Sequence, residues 1–147
     1  MTQPESPEAP KLTWQQQHRK TYEESNGAKG HIWRGVPTLL LTTVGRHSGQ
    51  LYTTPLIYGM NGDKYLVVAS NGGNTKHPTW YLNLADQPIV RIQVAADRFL
   101  ARAVTATPEQ KPALWETMCA IWPDYNNYQK KTKREIPVIV IERVASA

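Results

Sequence analysis

Three short stretches of this chain carry residues whose types and spacing suit chemistry. The first is Thr42-Thr43-Val44-Gly45-Arg46-His47-Ser48-Gly49. An apolar run opens there into a tight turn flanked by two glycines, which exposes successive backbone N–H groups. Arg46, His47 and Ser48 add side-chain donors, and the set suits a phosphate or a carboxylate. No Lys-Ser or Lys-Thr pair closes the turn, so it is not a P-loop. A surface turn with a solvated arginine is the competing reading.

The second stretch is Ser70-Asn71-Gly72-Gly73-Asn74-Thr75-Lys76-His77-Pro78-Thr79-Trp80-Tyr81. Its glycine pair lets a ligand approach the backbone closely. A helix expected from Pro78 offers unsatisfied N–H groups to an anion or an electron-rich ring edge, and Lys76 adds charge. The bland alternative is a long loop before a helix, with Trp80 in the core. The third stretch is Trp122-Pro123-Asp124-Tyr125-Asn126-Asn127-Tyr128. Tyr125 and Tyr128 share a face if the segment is helical, and a phenol beside a pocket can hydrogen-bond a carbonyl or deliver a proton. Tyrosines that merely pack their rings are the commoner case.

Other candidates carry less. Lys130-Lys131-Thr132-Lys133-Arg134 reads as a solvated charge run. His18, His31, His47 and His77 show no metal-ligand spacing, and the single cysteine, Cys119, builds no zinc site. Neither a Gly-x-Ser-x-Gly motif nor a carboxylate pair stands out for hydrolysis.

The elements that position these stretches are mostly strands. Thr38 to Val44, Tyr52 to Tyr58, Lys64 to Ser70, Ile89 to Val94, Arg98 to Thr105 and Pro137 to Ile141 read as about six short strands. Asn61-Gly62 predicts a hairpin turn with positive φ at both central residues. Pro55 marks its strand as an edge or a bulge. Helices are expected over Thr13 to Asn26, from Pro78, and from the Thr107-to-Gln110 capping box to about Ile121. The first helix carries Trp14, His18 and Tyr22 on one face and is otherwise polar. It suits a pocket wall or a membrane surface as well as a core. With so few long crossovers, the strands favour an antiparallel barrel with helices packed outside it, an α+β fold.

The 147 residues, 40% hydrophobic and 20% charged, fit one globular domain. We expect residues 1–12 to be a disordered tail and 13–147 a single domain. The N-terminus shows no secretory signal and no apolar run is long enough for a membrane span. The lone cysteine suits the cytoplasm, with membrane contact open only through the first helix. A net charge of +5 is spread over separate turns with no recognised nucleic-acid motif, which argues against nucleic acid. No obligate protein partner is expected.

Taken in order, Gly35 to Arg46, Thr54-Pro55-Leu56, Val68 to Gly73, His77 to Leu84 and Ile136-Pro137-Val138 resemble the deazaflavin-dependent nitroreductase family, actinobacterial reductases that use reduced coenzyme F-420. The resemblance implies a split β-barrel of the flavin-reductase, pyridoxamine-phosphate-oxidase-like type. It implies hydride transfer from the reduced 8-hydroxy-5-deazaflavin to a small-molecule quinone, enone or nitro-aromatic acceptor. It also implies roles for single residues. Arg46 matches a phosphate-binding position and Pro55 lies in a matching segment, while Ser48 is a coenzyme-binding candidate from the same turn as Arg46. His47 and Tyr52 stand where basic residues are usual, which predicts a thinner grip on the coenzyme. Ser70 matches a residue at the deazaflavin ring, Asn71 a lysine of some members, and Trp80 an aromatic pocket border. Gly72, Gly73 and Lys76 complete that loop. Tyr125 matches a proton-donating or substrate-orienting tyrosine, Tyr128 a second pocket tyrosine, and Trp122 replaces a third. Two alternatives stand beside this reading: an FMN-type oxidoreductase of the same barrel class, and a non-catalytic binder of small aromatic ligands.

Overall fold

Short apolar strands build the sheet that carries the site. The computed structural model describes residues 13–146, so the expected tail at 1–12 lies outside the described residues. Its strands are β1 (Ile32–Trp33), β2 (Val36–Val44), β3 (Leu51–Ile57), β4 (Gly59–Asn61), β5 (Lys64–Val68), β6 (Ile89–Val94), β7 (Asp97–Thr105) and β8 (Val138–Ser146). All pairings are antiparallel, in the order β1-β2-β6-β7-β8-β5-β4, with β3 added on β2. The sheet curls around a core of Leu39, Leu41, Val67, Ile92, Phe99 and Ile141, the half-open barrel expected from the strand count. Leu66 and Val68 point the other way and join Leu114, Met118, Ile136 and Val138 in a second core. The period-2 switch along β5 thus serves both faces.

Among the described residues four α-helices complete the fold: α1 (Trp14–Glu24), α2 (Thr79–Asp86), α3 (Lys111–Ile121) and α4 (Asp124–Lys131). Thr13 caps α1 in a capping box with Gln16. Thr107 and Gln110 form the expected box, yet regular helix begins only at Lys111. Pro112 explains the delay, because it has no N–H to extend the first turn backward. Pro55 sits on an edge strand, as expected, since β3 pairs only with β2. The β4–β5 hairpin also forms, but Asn61 pairs with Lys64 and the loop is Gly62-Asp63. Gly62 alone takes positive φ there, at 64°. Placing glycine first in a two-residue loop relieves Asn61 of a left-handed conformation.

The first helix packs against the sheet. The wholly buried Tyr22 donates toward the Thr38 and Gln93 carbonyls at 3.0 and 3.3 Å and accepts from the Ala95 N–H at 2.7 Å. Burial pushes its phenol up to about 12 against this N–H, which acts the other way. The neutral phenol is therefore favoured in the folded state. Its contribution is complete below the ordinary value of 10.0 and is lost as pH rises through about 12. Tyr22→Phe leaves the Ala95 N–H without this partner and should cost about 1–3 kcal/mol in urea unfolding. Equal stability of the two proteins would mean that Tyr22 is held by its ring alone.

Candidate functional site

The turn after β2 faces the start of α2 across a recess of about 230 Å³ lined by Gly45, Arg46, His47, Ser48, Tyr52, Thr79 and Asn83. Its shape follows from local packing. A Cβ at Gly45 would meet the Tyr52 ring at 2.6 Å and Ser48 Oγ at 2.7 Å, so glycine is what lets these two side chains lie against the turn. Ser48 Oγ lies 3.1 Å from the Tyr52 hydroxyl and accepts the Gln50 N–H at 3.1 Å. Asn83, buried on α2, accepts the Arg46 backbone N–H at 3.2 Å and one guanidinium N–H at 3.5 Å. Its own amide donates to Thr43 Oγ1 at 3.3 Å. One side chain thereby orients the arginine and ties the turn to the helix.

The second loop follows β5. Asn71, Gly72 and Gly73 form a single 310 turn, with φ of 46°, 62° and 83° in succession. Three left-handed residues in a row need restraint, and Asn71 carries a steric cost that glycine does not. Asn71 Nδ2 donates to the Lys76 carbonyl at 3.0 Å, and Lys76 N–H donates to Asn74 Oδ1 at 3.0 Å. Gly73 is pressed under α4, where an added Cβ would meet the Tyr128 carbonyl at 2.8 Å. The Lys76 side chain is exposed.

Both tyrosines lie on α4, with rings 6.1 Å apart and edge-on. Tyr125 is 5% exposed and belongs to the second core. Burial first, then Tyr128 and Cys119, hold its phenol far above the ordinary range. Its hydroxyl has no hydrogen-bond partner among the described residues. Tyr128 is half-buried and accepts from Trp122 Nε1 at 3.3 Å. Trp122 continues an aromatic wall: it lies 5.6 Å from Trp33, which stacks on Trp14 at 5.4 Å. The first helix therefore reaches the neighbourhood of α4 through Trp14, while Tyr22 anchors it on the sheet.

The family model for F420H(2)-dependent quinone reductases matches residues 14–143. The chain belongs to this quinone reductase family. It is 42% identical over 133 residues to the F420H(2)-dependent quinone reductase Rv1261c of Mycobacterium tuberculosis, covering 86% of this chain and 87% of that protein. Among solved structures it is similar to an F420-H2 dependent reductase, FDR-A, at 36% identity and a TM-score of 0.68, over 76% of this chain and 98% of the other. It is also similar to a chain described as a domain-swapped dimer, at 33% identity and a TM-score of 0.70, over 86% and 94%. The family is one of oxidoreductases whose coenzyme is F-420, and FMN is not needed to account for the chain. The split-barrel fold agrees with the sheet described above.

Within this quinone reductase fold, Arg46, His47, Ser48 and Tyr52 come together at one recess, and Ser70, Asn71, Gly72 and Gly73 at one turn against α4. Trp80 is 9% exposed and packs in the main core with Leu84. Pro55 pairs opposite Leu40, whereas Tyr52 pairs opposite Thr43, so the pleat puts Pro55 and Tyr52 on opposite faces of β3. Asn83 and Trp33 do not stand out in the sequence as site residues, and Arg134, expected in a solvated charge run, instead binds three backbone carbonyls. An asparagine one turn after the start of an apolar helix is the available signal for Asn83. Arg134 was hidden inside a run of like charges, and nothing in the sequence separates it from its neighbours. No group of His, Cys, Asp and Glu residues able to hold a metal occurs among the described residues.

Proposed function

We propose that the chain reduces quinones with F-420 bound between the Arg46 turn and the Ser70–Gly73 turn, and that it does so in the cytoplasm. The observation that carries the site is the recess in which Arg46, Ser48 and Tyr52 converge on the first residue of α2. A guanidinium, hydroxyls and a helix N-terminus form a donor set that fits a phosphate, so the residues present suit this coenzyme. Arg46, Ser48 and Thr79 would hold the phosphate. Ser70, Asn71 and Gly72 would hold the ring, and Tyr125 and Tyr128 would face the acceptor. When bound, reduced F-420 supplies a hydride and reacts poorly with oxygen.

The chain's own residues do the rest. Asn83 fixes the arginine, α4 and the aromatic wall shield the acceptor from water, and a phenol donates a hydrogen bond to the acceptor oxygen as it gains charge. Two departures from the family pattern, His47 and Tyr52, shape the grip. The Tyr52 hydroxyl lies 3.1 Å from Ser48 Oγ, and the Lys76 side chain is exposed. Arg46 therefore carries the main charge at the recess.

Arg46→Ala should raise the coenzyme dissociation constant about 10- to 100-fold, the equivalent of one charge-assisted hydrogen bond of roughly 1.5–3 kcal/mol. Titration of the protein with oxidised F-420, followed by coenzyme fluorescence, measures it. An unchanged constant would move the phosphate elsewhere. A panel of quinones, enones and nitro-aromatics, scored by coenzyme oxidation, then defines the acceptor class.

A further inference from the structure

Arg134 is not solvated with the lysines that precede it. Its guanidinium reaches across from the segment before β8 to the back of the Ser70–His77 loop. Nε donates to the Asn74 carbonyl at 2.9 Å, one terminal nitrogen to the Ala69 carbonyl at 3.2 Å, and the other to the Ser70 carbonyl at 2.8 Å. The terminal nitrogen that meets Ala69 also lies 3.2 Å from His77 Nδ1. Gln129, on α4, brings in the chain beside it: its amide nitrogen donates to the Arg134 carbonyl at 2.8 Å and its oxygen accepts the Ile136 N–H at 3.0 Å. A planar fork with five donors satisfies three carbonyls that diverge around a tight loop, and a lysine ammonium has no such fixed geometry.

The loop needs this support. Its three consecutive left-handed residues are flanked by the carbonyls that Arg134 binds, at Ser70 on one side and Asn74 on the other. We propose that Arg134 is a positioning residue for the coenzyme, holding the Ser70–Gly73 turn in its left-handed conformation through the carbonyls on either side of it. This rests on the reading that the turn receives the coenzyme.

His77 reports on the clamp. To accept from Arg134 its ring must be neutral, with the proton on Nε2. Burial and then the arginine charge hold it below its ordinary value. Arg134 and its chain neighbour Lys76 are the cations beside it, and the Tyr81 ring packs at 4.8 Å. Removal of Arg134 takes away one of the causes of the lowering, so the midpoint of His77 should rise.

The test uses the full chain and the variants Arg134→Lys and Arg134→Ala, the lysine form serving if the alanine form does not fold. Amide hydrogen exchange without coenzyme should accelerate at least 10-fold from Ser70 to His77, while the β6–β7 hairpin is unchanged. The His77 midpoint in a proton NMR titration should move upward in Arg134→Ala, where the charge is gone. The dissociation constant for oxidised F-420 should rise about 10-fold or more in both variants. Unchanged loop exchange in either variant, or an unmoved His77 in Arg134→Ala, overturns the clamp. F-420 added to the wild-type protein should slow exchange in the same loop. Absence of that protection removes the coenzyme from the loop, and the proposal falls with the site. Protection together with an unchanged constant in the variants overturns the positioning role alone.

Discussion

Tyr125→Phe should lower turnover with a quinone about 100-fold and leave the F-420 dissociation constant within about twofold, the size of effect expected when one preorganised donor to a developing oxyanion is lost. The environment of Tyr125 argues for a hydrogen-bond donor rather than an acid that releases its proton. Burial keeps the phenol far above the ordinary tyrosine range, so full transfer from it is unfavourable. A hydroxyl without a partner among the described residues is free to donate. The core around the ring fixes its direction, which lowers the reorganisation needed as charge develops. The pH profile should consequently show no ionisation of this group between about pH 6 and 9. Tyr128→Phe is the comparison. Its hydroxyl already accepts from Trp122, and its loss should cost less than about 10-fold. If the Tyr128 variant is the more damaged of the two, the donor is Tyr128. Equal turnover in both variants and the wild type would remove the tyrosines from the catalytic step.

Much of the fold was legible because its signals are local. The apolar runs of β2 and β5, the alternation along β6, Pro55 at an edge and the Thr107–Gln110 capping box each follow from a few consecutive residues. The parts that were not legible depend on residues far apart. Asn83 meets Arg46 across 37 positions and Arg134 meets Asn74 across 60, and neither spacing leaves a periodic trace. The hairpin loop shifted by one residue because a sequence shows that Asn61-Gly62 favours a turn, not which strand pairing closes it. At the site, residue types suggested which side chains could act, but the pleat decided which of them share a face. Pro55 and Tyr52 show the difference: they lie three positions apart on one strand and point to opposite sides.

The tightest link between fold and site is Gly73, and Gly73→Ala should be the most damaging single methyl in the loop. The residue sits at φ 83°, where any other L residue is strained by roughly 1–2 kcal/mol. Its Cβ would lie 2.8 Å from the Tyr128 carbonyl oxygen, 3.0 Å from Tyr128 Cα and 3.1 Å from Lys131 Cβ. Two of those atoms are backbone, so no rotamer change relieves the contact. Either α4 or the turn must move, and such overpacking adds about 1–3 kcal/mol. Gly72→Ala separates the two costs. Gly72 has φ of 62° but nothing within 4 Å of its added Cβ, so only the backbone strain applies. Urea unfolding should therefore show Gly73→Ala less stable than Gly72→Ala by about 1–3 kcal/mol. Because α4 carries both tyrosines and the turn borders the proposed ring site, the Gly73 variant should also bind F-420 more weakly than the Gly72 variant. Equal stability of the two variants would show that α4 yields freely at this contact. In that case the turn and the tyrosines would be positioned independently of each other.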